Sequence, residues 1–103
     1  MTTEATVKKK GREWLQSKKI WRFPVIQNKY SRKGVADDCG CYKSRMFVIE
    51  YKAPHRRKEP NGGLTAWQIK EINNAKEAGA LCIIAYDLSD IVNAFVTEMG
   101  MEA

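Results

Sequence analysis

Cysteine, histidine and proline are scarce in this sequence of 103 residues, which holds three cysteines, one histidine and three prolines. Cys39 and Cys41 are separated by one residue and Cys82 lies far along the chain, so they form neither a paired disulfide framework nor a four-ligand zinc site. We interpret them as reduced thiols. The only histidine, His55, lies among basic residues of a polar segment, where a solvated side chain is a better interpretation than a general base.

Long apolar runs are also missing. No run approaches the roughly 18 residues that a membrane span requires, and lysines 8–10 are not followed by the apolar core of a signal peptide. The sequence therefore predicts a protein that neither contacts a membrane nor is exported. Hydrophobic residues make up 44% of the chain, which predicts that it folds, and its length allows one domain over residues 1–103.

Acidic residues are outnumbered by basic ones. Eighteen Lys and Arg against twelve Asp and Glu give a net charge of +6 and an isoelectric point near 9.3. This balance favours polyanionic partners, of which nucleic acid is the first candidate. A net positive charge does not identify a nucleic-acid partner by itself, because many small proteins carry a similar excess of basic residues without such a partner.

The spacing of apolar residues predicts an α/β fold in the order helix, three strands, helix, strand, helix. The helices are predicted from Thr2 or Thr3 to about Lys18, from a cap at Thr65 to about Ala78, and from a cap at Ser89 to about Met99. The strands are predicted at 20–26, 36–42, 46–52 and 81–86, with a turn at 43–45. The last strand is apolar on both faces, which is typical of a strand parallel to its neighbour, so the sheet is expected to be mixed.

Charged residues interrupt the expected pattern of the third strand. Glu50 and Lys52 share a face with Val48, which an ordinary half-buried strand does not show. Asp37 lies on the neighbouring strand of the hairpin, and helical spacing places Glu4 on the buried stripe of the first helix. These residues form a predicted acidic cluster that contains one lysine.

Buried carboxylates without partners are costly, so the cluster has two interpretations. The carboxylates form a satisfied ion pair with the lysine, or they are ligands of a hard cation. The cluster alone leaves both open. The basic balance of the chain favours the second, because carboxylates that hold Mg²⁺ beside a phosphate-attracting surface are what phosphodiester hydrolysis needs.

Four short motifs, in this order, resemble those of the PD-(D/E)XK nucleases, specifically the stand-alone VRR-NUC type found in phages. The motifs are Gly34-Val35-Ala36-Asp37, Ile49-Glu50-Tyr51-Lys52, Leu64-Thr65-Ala66-Trp67-Gln68 and Ala78-Gly79-Ala80. The resemblance extends from Glu4 to about Asp90. It implies a restriction-endonuclease-like core and Mg²⁺- or Mn²⁺-dependent cleavage of DNA in the cytoplasm of a bacterial host cell.

The resemblance also implies roles for individual residues. Asp37 and Glu50 would bind the metal together with the backbone carbonyl of Tyr51, and Glu4 would assist the metal site. Lys52 would orient or activate the attacking water, and Gln68 would hold that lysine.

The sequence departs from the family pattern at two positions. Ala36 stands where the family usually has proline, and Asp38 stands where it usually has an apolar residue. Asp38 makes the assignment of the aspartate ambiguous by one position. Because neighbours in a strand point to opposite faces, only one of the two aspartates can join Glu50, and we choose Asp37 for its distance from Gly34.

Two basic loops flank the predicted hairpin. Their residues are Lys29, Tyr30, Arg32 and Lys33 in one loop and Arg56, Arg57 and Lys58 in the other. For the basic residues, phosphate contact and plain solubility are both open. Tyr30 stacks on a base or packs locally.

A chain of this size offers limited surface for gripping a duplex, so we expect a homodimer that presents two active sites. Two sites that face one substrate suit branched DNA such as a four-way junction. Trp14, Trp21 and Trp67 are interpreted as core or interface residues. The alternative function is a non-catalytic nucleic-acid-binding module whose carboxylates are an ion-paired remnant.

Overall fold

The computed structural model describes residues 2–102 and confirms the predicted order of elements. The helices are α1 (Glu4–Ser17), α2 (Ala66–Glu77) and α3 (Leu88–Met99), and the strands are β1 (Trp21–Pro24), β2 (Asp38–Tyr42), β3 (Arg45–Tyr51) and β4 (Leu81–Ala85). Two short 3₁₀ turns, Pro54–Lys58 and Pro60–Gly63, connect β3 to α2. No helix within residues 2–102 is long and apolar enough to cross a membrane.

The four strands form one mixed sheet in the order β1-β2-β3-β4, as expected from the apolar last strand. The first two pairs are antiparallel and β3 pairs with β4 in parallel, with α2 as the crossover. In this register Asp38 lies opposite Ile49 and Tyr51 lies opposite Ala85. The start of β2 and the carboxyl ends of β3 and β4 therefore meet at one edge of the sheet.

The core lies between one face of the sheet and the pair α1 and α3. From β3 this face contributes Phe47, Ile49 and Tyr51, all fully buried. They pack with apolar side chains of the two helices, including Leu15 and Phe95. The alternate residues of β3, which include Glu50, point to the opposite face, where α2 packs.

The helix caps show which polar residues set the element boundaries. The Thr3 hydroxyl accepts the N–H of Thr6 and so caps α1. Thr65 caps α2 as predicted, in a reciprocal capping box with Gln68.

The predicted cap of α3 at Ser89 is wrong. Asp87 caps the helix, because its carboxylate accepts the N–H of Asp90 while the Asp90 carboxylate accepts the N–H of Asp87. The Ser89 hydroxyl donates to the Asp87 carboxylate at 2.6 Å and so supports the cap from within the helix.

The hairpin turn is also shorter than the predicted three residues. Lys43 and Ser44 alone form it, both with positive φ, as the twist of a two-residue hairpin loop requires. As a result β3 begins at Arg45, one residue before its predicted start.

Candidate active site

Asp37 and Glu50 lie together at the sheet edge where β2 begins and β3 ends. The N–H of Asp37 donates to the carbonyl of Ile49 at 3.0 Å, which extends the β2–β3 pairing to this residue. The Asp37 side chain accepts the N–H of Tyr51 at 2.9 Å. Glu50 is 5% exposed, because its position in β3 directs its side chain to the face of the sheet on which α2 packs.

The Asp37 carboxyl group acts on Glu50 and changes the acidity of that side chain. The pKa of Glu50 is raised to about 8, mainly by burial and next by the charge of Asp37 and hydrogen bonding with it. The positive charge of Lys52 acts in the opposite direction, and Glu4 raises the pKa slightly further. The pair therefore holds a proton at neutral pH in the absence of a cation.

Lys52 is also buried at this edge and, like Glu50, is 5% exposed. Asp37 is only partly buried, with 16% of its side chain exposed. The Nζ of Lys52 donates to Oε1 of Gln68 at 3.1 Å. The same Oε1 atom accepts the N–H of Thr65 at 2.9 Å, so the capping box of α2 positions the amide that contacts the lysine. The N–H of Lys52 donates to the carbonyl of Ala85 at 2.9 Å, which fixes the backbone beyond the end of β3.

Asp38 points to the opposite face and lies in a different environment. It is fully buried and accepts two hydrogen bonds from Arg12, at 2.8 and 3.0 Å. The Tyr51 hydroxyl donates to it at 2.6 Å, and Arg22 lies 3.6 Å away. Burial and this hydrogen bond raise the pKa of Tyr51, so its hydroxyl remains a donor. Asp37, and not Asp38, is thus the neighbour of Glu50.

The expectation that Glu4 is buried is wrong. The buried stripe of α1 consists of Val7, Gly11 and Leu15, and Glu4 is exposed. Glu4 is the first residue of the helix, and Val7 is the first one that the core covers. Glu4 still acts electrostatically on Glu50, which places it near the candidate site without making it part of the Asp37–Glu50 pair.

Sequence reasoning missed Lys8, whose Nζ lies 3.8 Å from the Asp37 carboxylate. It also missed the role of Arg12 as the partner of Asp38. Both follow Glu4 at intervals of four residues, so one helical face carries all three toward the sheet edge. The four-residue spacing of Glu4, Lys8 and Arg12 is the sequence signal that could have indicated both contacts.

The basic loops are only partly free for a ligand. Arg32 pairs with Glu71 at 2.9 Å and Arg56 pairs with Glu59 at 2.9 Å. Arg57 pairs with Asp90 at 2.7 Å and lies over the ring of Tyr86. The remaining predicted loop residues, Lys29, Tyr30, Lys33 and Lys58, are all exposed.

The three tryptophans have different environments. Trp14 packs against Phe95 with ring centroids 5.7 Å apart, which agrees with a place at the core. Trp21 is 64% exposed and Trp67 is 53% exposed, so neither is a core residue.

The donor set fits a small hard cation but offers few side chains. Within residues 2–102, no three His, Cys, Asp or Glu side chains come close enough together to hold a metal ion. Asp37 and Glu50 are the two carboxyl groups that act on each other here, and the pKa of Glu50 is raised despite the positive charge of Lys52. Mg²⁺ is usually bound by one or two carboxylates and keeps several water ligands, so two carboxylates are compatible with it.

Comparisons of this chain with known proteins find no relative. No family model matches the chain, and no curated protein and no solved structure matches it. The chemistry of the site is therefore the main basis for assigning a function.

Proposed function

We propose that this protein is a metal-dependent DNA endonuclease that hydrolyses phosphodiester bonds. The observation that supports this most is the pair formed by the partly buried Asp37 and the buried Glu50, beside the buried Lys52. The resemblance to PD-(D/E)XK nucleases of the VRR-NUC type supports it as well. The mixed sheet with a helical crossover is compatible with a restriction-endonuclease-like core, which is part of the proposal.

Asp37, Glu50 and the backbone carbonyl of Tyr51 would hold Mg²⁺ or Mn²⁺. When bound, the cation polarises the scissile phosphate and lowers the pKa of a coordinated water. Glu50 must give up its proton to become a ligand, so cation and proton compete for this carboxylate. Glu4, exposed nearby, is proposed to assist the site from the solvent side.

Lys52 is proposed to stabilise negative charge on the attacked phosphate or to orient the attacking water. An ammonium group has three N–H donors, and Gln68 accepts one of them. The others are available to a phosphate oxygen or a water. Because the lysine is nearly fully buried, its charge is poorly screened by solvent and acts strongly on groups in the site.

DNA binding is proposed to depend mainly on phosphate contacts by exposed basic residues. Lys29, Lys33 and Lys58 are the first candidates, because they are exposed. Arg32, Arg56 and Arg57 are proposed to contribute less, since each already pairs with an acidic side chain.

We also propose a homodimer, which would set two sites at a fixed separation and favour branched DNA such as a four-way junction. The β1–β2 part of the sheet offers the surface. Trp21, Cys41 and Met46 are directly opposite one another across β1, β2 and β3, and all three are exposed. Phe23 lies on the same face and is 44% exposed.

The alternative is a nucleic-acid-binding module without catalytic activity. One observation favours it: Lys8 lies 3.8 Å from Asp37 and Lys52 acts on Glu50, so each acid has a basic neighbour. Against it, the pKa of Glu50 remains raised despite Lys52, which indicates incomplete compensation.

A cleavage assay distinguishes the two functions. Supercoiled, linear and four-way-junction DNA would each be incubated with the protein in Mg²⁺, Mn²⁺ or EDTA. We expect cleavage in either metal, none in EDTA, and none by Glu50→Gln. Glu13→Gln is the matched control, because Glu13 is an exposed carboxylate on α1. Binding of these DNAs without cleavage in either metal would favour the module.

A further inference from the structure

Trp67 is a large aromatic residue at an exposed position near the start of α2. The residue is 53% exposed, although it lies on a helix that packs on the sheet. We propose that Trp67 is a stacking platform for an unpaired nucleobase of the DNA substrate. The inference rests on the proposed function and adds a substrate class: DNA in which at least one base near the cleavage site is not paired.

The position of Trp67 is fixed relative to the candidate active site. The next residue, Gln68, accepts the hydrogen bond from Lys52 at 3.1 Å. On the other side, Gly34 packs against the Trp67 backbone so closely that a Cβ at this glycine would lie 2.3 Å from the Trp67 carbonyl oxygen. The segment from Gly34 leads directly to Asp37. A base on this ring would therefore lie beside the proposed cleavage site.

The surroundings of the ring have the chemistry of a nucleotide site. Lys33 lies over the Trp67 ring at 5.6 Å from its centroid, and Lys70 lies over it at 5.8 Å. Both lysines are exposed and flexible, so a base can displace one from the ring face while its ammonium moves to the adjoining phosphate. A purely apolar protein partner would not be favoured by two positive charges at this place.

Polar groups surround the ring as well. The depression between the loop and the start of α2 is lined by Gln27, Asn28, Ser31 and Thr65 in addition to Trp67 and Gln68. The Ser31 and Thr65 hydroxyls already take part in hydrogen bonds of the loop and of the helix cap. The amides of Gln27 and Asn28 each use one group internally and keep the other to hydrogen-bond to the edge of an unstacked base. Tyr30, which is 84% exposed with Lys29 over its ring, offers a second aromatic surface on the same loop.

A paired duplex does not present a free base face, whereas a junction, flap or single strand does. Stacking on Trp67 would therefore discriminate by DNA structure and not by sequence. This recognition operates within one protomer, so it is independent of any preference that a dimer contributes through geometry.

Binding of a thymidine oligomer and of an abasic oligomer of the same length, both single-stranded and in EDTA, tests the proposal without cleavage. We expect Trp67→Leu to weaken binding of the thymidine oligomer by roughly tenfold and to leave binding of the abasic oligomer unchanged. Trp67→Phe should retain most of the affinity, because it keeps an aromatic face. Trp21→Phe is the control, since Trp21 is similarly exposed but lies at the opposite end of β1 from Asp37, and phenylalanine keeps an aromatic side chain on the surface proposed for the homodimer.

Tryptophan fluorescence gives a second measurement that does not depend on the stability of the leucine variant. The thymidine oligomer should quench the wild type and Trp21→Phe, and it should quench Trp67→Phe much less. Equal quenching of all three, or equal loss of affinity for both oligomers in Trp67→Leu, would overturn the platform. Failure of the proposed nuclease would appear separately, as absence of cleavage of any DNA by the wild type in Mg²⁺ or Mn²⁺.

Discussion

At the scale of single residues, the adjacent aspartates Asp37 and Asp38 lie in opposite environments. Asp38 is fully buried in a satisfied network with Arg12 and the Tyr51 hydroxyl. Asp37 faces a second carboxyl group, that of Glu50, whose pKa stays raised despite the nearby Lys52. Strand alternation separates the two, so one supports the fold while the other is available for chemistry.

Asparagine substitutions should separate these roles. Asp38→Asn is expected to lower the free energy of unfolding by about 2 kcal/mol, below the range for fully buried pairs because Arg12 is partly exposed. Asp37→Asn should change stability little, since the amide oxygen still accepts the N–H of Tyr51, but should abolish cleavage. Urea unfolding and a plasmid-cleavage assay check both. A stable, inactive Asp38→Asn beside an active Asp37→Asn would reverse the assignment.

The raised pKa of Glu50 predicts a dependence of stability on pH. The folded-state pKa, about 8, is above the ordinary value of 4.5, so the folded protein binds the proton more tightly than the unfolded chain. The resulting contribution to stability is complete below the pKa of Glu50 in the unfolded chain, and it is lost as the pH rises through the pKa of Glu50 in the folded protein. In EDTA, Glu50→Gln should therefore become more stable relative to the wild type between pH 5 and pH 8. Parallel urea-unfolding profiles would contradict the raised pKa.

Substitution of Lys52 should separate metal binding from catalysis. Lys52→Met is expected to reduce cleavage by roughly two to three orders of magnitude, the usual loss when one transition-state donor is removed. Mn²⁺ binding should be retained but shifted to higher pH than in the wild type, because loss of the positive charge beside Glu50 raises the pKa of that carboxyl further. Lys52→Arg should also be poor, because a guanidinium fork does not fit the place of a compact ammonium. Calorimetry that shows no Mn²⁺ binding to Lys52→Met would make the lysine structural.

At the scale of secondary-structure elements, the sequence predicts the regular alternation of side chains along a strand, but it does not predict which of two neighbouring capping residues begins a helix. The alternation in β3 correctly placed Glu50 and Lys52 on one face, and Thr65 was recognised as a cap. The cap of α3 was misplaced, because Asp87 and Ser89 are both good capping residues and the geometry of Asp90 decides between them. The hairpin turn was predicted one residue too long, since Lys43 and Ser44 give no glycine signal for positive φ.

Helical spacing predicted the face of Glu4 but not its exposure. A wheel gives an angle around the axis, whereas burial also depends on where the covering sheet and helices end. In α1 the cover reaches Val7, so Glu4 extends beyond it. The same face contains Lys8 and Arg12, and only the tertiary structure shows that each contacts a different aspartate.

At the scale of the whole molecule, the layers cover the sheet unequally. The pair α1 and α3 covers one face, and α2 leaves Trp21, Phe23 and Met46 exposed on the other. An aromatic surface of this kind is typical of an interaction site. It is the surface that we propose for the homodimer.

Trp21→Lys should convert a dimer to an 11.8 kDa monomer, because a buried lysine without a partner is costly in an interface. Light scattering at micromolar concentration measures the change. Trp67→Leu is the control, since its proposed role is within one protomer. A wild type that is already monomeric, alone and with a four-way junction, would contradict the dimer and leave the nuclease proposal unaffected.

The central claim is that Asp37 and Glu50 together bind a divalent cation, and calorimetric titration with Mn²⁺ at pH 7 tests it most directly. In two buffers of different ionisation enthalpy, the heats should differ, because Glu50 releases its proton on binding. Glu50→Gln should abolish binding and Glu13→Gln should leave it unchanged. Binding of Mn²⁺ to Glu50→Gln with wild-type affinity, or no binding to the wild type, would contradict the account.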